Sequence, residues 1–359
     1  MSDIRVFAGA RALAHVRANG LRAEDISWLA GASGGPKWFV LYGIDRYLAG
    51  EFFAARQQPL RLIGSSAGAW RMACHAHPQP LAALERLALR YAGQTYSAHP
   101  DRHEISREAR LMLDFMLGTD GAQGIVSNPI RRLYVIADRA RGLLRSDNRL
   151  ALNAGLVLAV VGNLASRRAL AGFFERHVFH PPQDSPDKNW LRDLPTVWRP
   201  TSVQNLRQVL MASGSIPQVM ERVHVPDTPG AIYRDGGITD YHLALPFNQL
   251  PGLVLYPHFY AGVVPGWFDR FAAWRRANPR HFDNVVLVTP SREFVRSLPL
   301  GKIPDRNDFR RLPEQDRIDS WRTVLQQSQR LGDALRRLVV HGDGVGDIAL
   351  FEPRRSVHV

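Results

Sequence analysis

One cysteine, Cys74, is the whole thiol complement of this 359-residue chain. It cannot close an internal disulfide, which sets aside the disulfide-built secreted scaffolds and fits a reducing compartment, with Cys74 itself read as buried packing. No secretory leader is expected either. The first twenty residues carry charges throughout and never form an apolar stretch, so a cytoplasmic location is expected. Long hydrophobic runs are scarce. The longest uncharged segment, between Arg149 and Arg167, is short and interrupted by Asn153, Gly155, Gly162 and Asn163, and it reads as a buried or lid helix, not as a membrane span. There is no internal repeat and no low-complexity tract. Histidines and acids do not gather at ligand spacings, so neither a metal site nor a cofactor is expected.

What is present is the composition of a globular protein, 45% apolar and 22% charged, at a length that suits one large domain or two ordinary ones. The charge balance is basic, +13 from 46 Lys and Arg against 33 Asp and Glu. Such an excess favours a polyanionic partner, nucleic acid or an anionic membrane surface, or else is only an arginine-rich solvated surface; composition does not choose. No basic segment interleaved with aromatics is found, so nucleic acid is not expected as a partner.

Along the chain, strand and helix alternate first. A strand at 26–30, a glycine turn and an apolar periodic run at 38–48 are followed by a strand at 60–63, a second glycine turn, and helices at 69–77 and 81–92. Two strand-turn-helix units in succession predict an α/β fold with a parallel sheet flanked by helices. The rhythm fails over 97–200, which holds a helix at 105–117, a strand at 133–137 and the apolar run at 150–165, and an inserted cap is expected there. Regularity returns with a helix at 203–211 and strands at 231–233, 253–256 and 285–288. A single long helix at 314–338, packed on the core, is expected within a C-terminal extension at 260–359.

Three stretches carry chemistry. Gly64-Ser65-Ser66-Ala67-Gly68 matches the G-x-S-x-G turn, in which glycines let strand and helix approach while the serine projects its hydroxyl from a strained bend. Gly31-Ala32-Ser33-Gly34-Gly35 matches the same pattern, and one of the two serines at most is the nucleophile. Gly34-Gly35-Pro36-Lys37 is a glycine pair ahead of a helix-starting proline, a loop able to present the N–H groups of Gly34, Gly35 and Lys37 to an anion; the plain alternative is a glycine turn between strand and helix. A serine also needs a base. His75, His77, His242 and His258 sit in no distinctive setting, whereas Asp235-Gly236-Gly237 leaves a short strand, either as a carboxylate placed for catalysis or as a hairpin turn.

Taken in order, Gly34-Gly35-Pro36-Lys37, Gly64-Ser65-Ser66-Ala67-Gly68, Ala212-Ser213-Gly214-Ser215-Ile216-Pro217 and Asp235-Gly236-Gly237 resemble the oxyanion loop, nucleophile turn, Ala-Ser-x-x-x-Pro stretch and Asp-Gly-Gly motif of the patatin-like phospholipases. The resemblance covers roughly 26–241. It implies one three-layer αβα domain over 1–359 with a mainly parallel sheet, and a helical cap at 97–200. It further implies a Ser66–Asp235 dyad, an oxyanion hole at Gly34, Gly35 and Lys37, and a lipid or other acyl ester as substrate; the basic balance would help such an enzyme to associate peripherally with an anionic membrane. The chain departs from the family where many members have Asp-Gly-Gly-Gly-x-Arg-Gly. Here Ala32-Ser33-Gly34-Gly35-Pro36-Lys37-Trp38 lacks the leading acid and trailing glycine and has lysine for arginine. That altered loop leaves a second expectation beside the hydrolase: a lipid-binding or scaffolding protein that keeps the fold without turnover.

Overall fold

Ten strands join in one sheet in the computed structural model, which describes residues 2–272 and 274–352. They are β1 (Ile4–Ala8), β2 (Ile26–Gly31), β3 (Leu60–Ser65), β4 (Arg131–Ala140), β5 (Phe174–His180), β6 (Thr196–Pro200), β7 (Tyr233–Asp235), β8 (Leu253–Pro257), β9 (Val285–Pro290) and β10 (Ala349–Leu350). Their order is β10-β1-β9-β8-β2-β3-β4-β5-β6, with β7 paired to β4. The centre from β9 to β4 is parallel throughout, while β1 against β9, β5 against β4 and β7 against β4 run antiparallel. The expected α/β architecture with a mostly parallel sheet flanked by helices is therefore present. Within β9, residues 285–288 are apolar and buried at every position, as a strand covered on both faces must be. Among the described residues no helix is long and apolar enough to cross a membrane.

The boundaries expected from sequence need correction in three places. The stretch 97–200 is not an insertion as a whole, because β4, β5 and β6 all lie in the central sheet. Only the excursion between β4 and β5 stands apart. There the helix Arg149–Ala165 closes a small second core of Leu144, Leu152, Ala159, Leu170 and Phe174 with Phe268. The segment 260–359 is likewise no mere extension, since it supplies β9 next to β8 and β10 at the edge; its tail, residues 353–359, lies outside the described residues. The long helix is two, Glu314–Gln327 and Gln329–His341. They part at Ser328, whose hydroxyl accepts the Gly43 N–H at 3.0 Å and so brings the C-terminal helix against the helix Tyr42–Tyr47. β1 had no reading from sequence. Arg5 breaks its apolar run, and it enters the sheet by pairing across almost the whole chain with β9.

Close packing of the first two strand-turn-helix units rests on one contact. A Cβ at Gly68, in the first turn of the helix Ala67–Ala76, would stand 2.0 Å from the Gly31 carbonyl oxygen at the end of β2. Backbone sits on both sides, so nothing can yield. Gly68→Ala is therefore expected to cost about 3 kcal/mol or more, read as a lowered urea midpoint. Gly172→Ala, where an added Cβ meets nothing within 4 Å, should change stability by about 0.5 kcal/mol or less. Equal effects at the two positions would refute the contact.

Candidate active site

The meeting of Ser66 with Asp235 follows from register on β4. β3 pairs along one edge of β4 as far as Ser65 opposite Ile136. β7 continues along that same edge, with Asp235 opposite Ala137, because β5 holds the other edge at that level. One strand is parallel to β4 and the other antiparallel, so their C-terminal ends abut. The result is a Ser66 Oγ that donates to Asp235 Oδ2 at 2.8 Å, between residues 169 apart in sequence.

Ser66 stands between β3 and the helix Ala67–Ala76 with φ 52° and ψ −132°, a left-handed backbone that costs a non-glycine residue on the order of 1–2 kcal/mol. Its surroundings hold that strain in place. The Ser66 N–H donates to Ser213 Oγ at 2.9 Å, and the Ser213 hydroxyl in turn donates to the Ile136 carbonyl at 2.6 Å. The Ser213 and Ser215 carbonyls accept the N–H groups of Gly236 and Asp235 at 3.1 and 2.8 Å. The Ala-Ser-x-x-x-Pro stretch is thus the clamp that ties the serine turn to the aspartate turn.

A second set of bonds joins the two glycine loops. Ser65 Oγ donates to the Asp240 carbonyl at 2.6 Å, so the 2.7 Å contact between Ser33 and Ser65 has the Ser33 hydroxyl as donor. Ser33, the rival nucleophile, is buried and has spent its proton on another alcohol. Asp240 is itself fixed by Arg176 in a two-pronged pair at 2.6 and 2.9 Å, and Thr239 is held by Asp138. At the aspartate turn, the Gly237 N–H donates to Asp235 Oδ1 at 2.7 Å, and a Cβ there would lie 2.5 Å from Ser33 Oγ.

Burial raises the Asp235 carboxyl above its ordinary value of 3.8, against the opposing pull of the Arg306 guanidinium, the Ser66 hydroxyl and the Gly237 N–H. A carboxylate raised in this way is a better base near neutral pH than a free one. No histidine lines either cavity that reaches Ser66. His75 instead lies 3.0 Å from Asp45 inside the core, and burial pushes His258 down to about 3.

The expected oxyanion donors divide. Among the described residues the N–H groups of Gly34 and Gly35 have no hydrogen-bond partner, whereas that of Lys37 turns back to the Gly34 carbonyl at 3.4 Å. Lys37 contributes its side chain to the cleft, with Nζ 5.9 Å from the centre of the Phe259 ring. The Ala67 N–H, which opens the helix after Ser66, is also without a partner among the described residues. Arg306 was not legible in the sequence. Its Nε would lie 2.9 Å from a Cβ on Gly35, so it covers the donor loop, and only folding brings it there from beyond the matched motifs.

Ser66 is buried, yet two cavities meet at it. One, about 660 Å³, is walled mainly by apolar side chains including Trp70, Ile105, Met112, Val219, Met220 and Phe309, with Arg306, Arg310, Glu314 and Arg317 also in its wall. The other, about 400 Å³, contains Asp235 and Gly34 together with the cations Lys37, Arg270, Lys302 and Arg306. Among the described residues Lys37, Arg270 and Arg306 form no salt bridge, while Lys302 pairs with Asp305 and Asp308. No family model matches this chain, and no curated protein matches its sequence.

Ser213→Ala would leave the Ser66 N–H buried without an acceptor, and an expected loss of about 1–3 kcal/mol should appear in urea unfolding. A change under about 0.5 kcal/mol would show that the hydroxyl clamps nothing.

Proposed function

We propose that this chain is a serine acyl hydrolase of patatin-like fold and mechanism, acting on carboxylic esters of lipid or lipid-like acyl groups. The observation that carries this reading is the 2.8 Å contact of Ser66 Oγ with a buried Asp235 at the junction of an apolar and a cationic cavity. Asp235 takes the hydroxyl proton as Ser66 Oγ attacks the ester carbonyl. The N–H groups of Gly34, Gly35 and Ala67 are available to the oxyanion, each such donor being worth roughly 3 kcal/mol in k cat terms. Protonated Asp235 then releases its proton to the departing alkoxide, leaving an acyl group on Ser66. Water, deprotonated by the same carboxylate, frees the acid.

The two cavities give the substrate its sides. The 660 Å³ cavity suits an aliphatic chain, and the cationic one suits the alcohol half of an ester that carries negative charge. Altered as it is, the oxyanion loop still offers two unpartnered N–H groups, which favours turnover over the binding-only alternative.

Ser66→Ala and Asp235→Asn are each expected to lower kcat on p-nitrophenyl butyrate by about 10³-fold or more with the fold retained. A fluorophosphonate probe should label the wild-type chain and not Ser66→Ala. If Ser66 stays unlabelled in the wild type, or if Ser33→Ala abolishes labelling while Ser66→Ala does not, the proposal fails. Asp235 acts ionised, so kcat/KM should fall on the acid side through its pKa. Arg306 lowers that pKa, and Arg306→Gln should therefore move the acid limb to higher pH. A limb that stays put or moves down would remove Arg306 from the site's electrostatics.

A further inference from the structure

The helix Arg149–Ala165 is apolar on two sides, and only one of them is covered. Its inner side, at Leu152, Gly155, Ala159 and Asn163, is buried against the small second core. Its outer side repeats at 150, 154, 157, 158, 161 and 165, spacings that place those residues within one stripe of an α-helix. Four of them are large aliphatic residues open to solvent: Leu150 at 81%, Val157 at 61%, Leu158 at 52% and Val161 at 60% exposure. Isolated exposed leucines and valines are ordinary, but a continuous stripe of them marks a contact surface. The turn Trp267–Phe271 packs against the same helix, and Phe271 and Trp274 at its end are exposed as well.

The unpaired charge around the stripe has one sign, since Asp147, two residues before the helix, is engaged by Arg102, Arg222 and Arg234. The helix contains no Asp or Glu, and its single charged residue is Arg149 at the first position. Arg145 just before it, Arg168 just after it and Arg270 on the packed turn are all exposed. Among the described residues none of these four arginines forms a salt bridge, although the other two arginines of the excursion, Arg141 and Arg167, are each paired. An apolar strip rimmed by unpaired cations complements an interface that is negative at its surface and hydrocarbon beneath. At 17 residues the helix is about 25 Å long, and its inner side carries Asn163, bonded to Asp269 at 2.7 Å, so it suits lying in an interface and not crossing one.

The stripe is continuous with the candidate site. Leu156, at the edge of the same helix, and Trp267, Phe268 and Arg270 of the packed turn line the cavity that holds Ser66 and Asp235. We infer that the outer face of the helix Arg149–Ala165, with its arginine rim, docks on an anionic lipid surface and sets the cationic cleft against it. The docking stands on its own; that it delivers substrate to Ser66 rests on the acyl-hydrolase reading.

Flotation of the full chain with vesicles of phosphatidylcholine, alone or mixed with phosphatidylglycerol, tests this without any turnover. The wild type should float with the mixed vesicles, float less with pure phosphatidylcholine, and lose binding as salt is raised. Val157→Asp/Val161→Asp should weaken vesicle partitioning about tenfold or more, with an unchanged thermal midpoint and unchanged hydrolysis of a water-soluble butyrate ester. Arg149→Gln/Arg168→Gln, a second exposed pair, should weaken only the phosphatidylglycerol-dependent part. The inference is overturned if the wild type ignores anionic vesicles or if Val157→Asp/Val161→Asp binds them as the wild type does. It is equally overturned if the wild type is a dimer in solution that the aspartate pair converts to monomer, since a second copy then covers the stripe. Ser66→Ala should float like the wild type, so a failure of the hydrolase reading and a failure of docking give different results.

Discussion

One edge of one strand organises this molecule. β4 accepts β3 along its first half and β7 along its second, and because the two run in opposite directions their ends meet where Ile136 gives way to Ala137. A hydroxyl and a carboxylate that the chain separates by 169 positions are thereby placed at hydrogen-bond distance. A slip of one residue in either pairing would turn the affected side chains to the opposite face of the sheet. The register is secured by more than the ladder: Ser213 bonds to both Ser66 and Ile136, and Ser65 reaches across to Asp240.

Strain and burial are concentrated at that junction and are answered by the hydrogen bonds around it. Ser66 holds a left-handed backbone, and Asp235 is an acid taken out of water. Each is a local cost that a well-packed neighbourhood sustains and that a reactive group can use: the bend projects the hydroxyl, and the desolvation raises the basicity of the carboxylate. Arg306 moderates the second effect from the wall of the same cavity. The C-terminal third, which carries no motif, is in this way part of the site as well as of the sheet.

The two cavities give the site its asymmetry, apolar on one side and cationic on the other, and the helix Arg149–Ala165 extends that asymmetry to the surface. Its outer stripe is apolar and exposed, and the charges left unpaired next to it are those of arginines. The basic balance of the chain, uninformative as a total, gains meaning from where the unpaired cations stand.

The sequence by itself determined what local chemistry can determine. Turns at Gly31–Gly35 and Gly64–Gly68 and the strands that lead into them were legible because glycine spacing and apolar runs act over a few residues, whereas the short strand expected at 231–233 lies at Tyr233–Asp235 and takes in the aspartate itself. The α/β class followed from their alternation. Tertiary structure decided the rest, because pairing partners, burial and cavity walls are properties of residues far apart in the chain. β5 and β6 read as part of an inserted cap because Phe174–His180 is interrupted by Glu175, Arg176 and two histidines, whose acceptability in a strand depends on partners such as Asp240 and Tyr233. The long C-terminal helix reads as continuous because its break at Ser328 is made by a contact with Gly43. Ser33 and Ser66 fit the same pattern, and only the fold gives one of them an alcohol for a neighbour and the other a carboxylate.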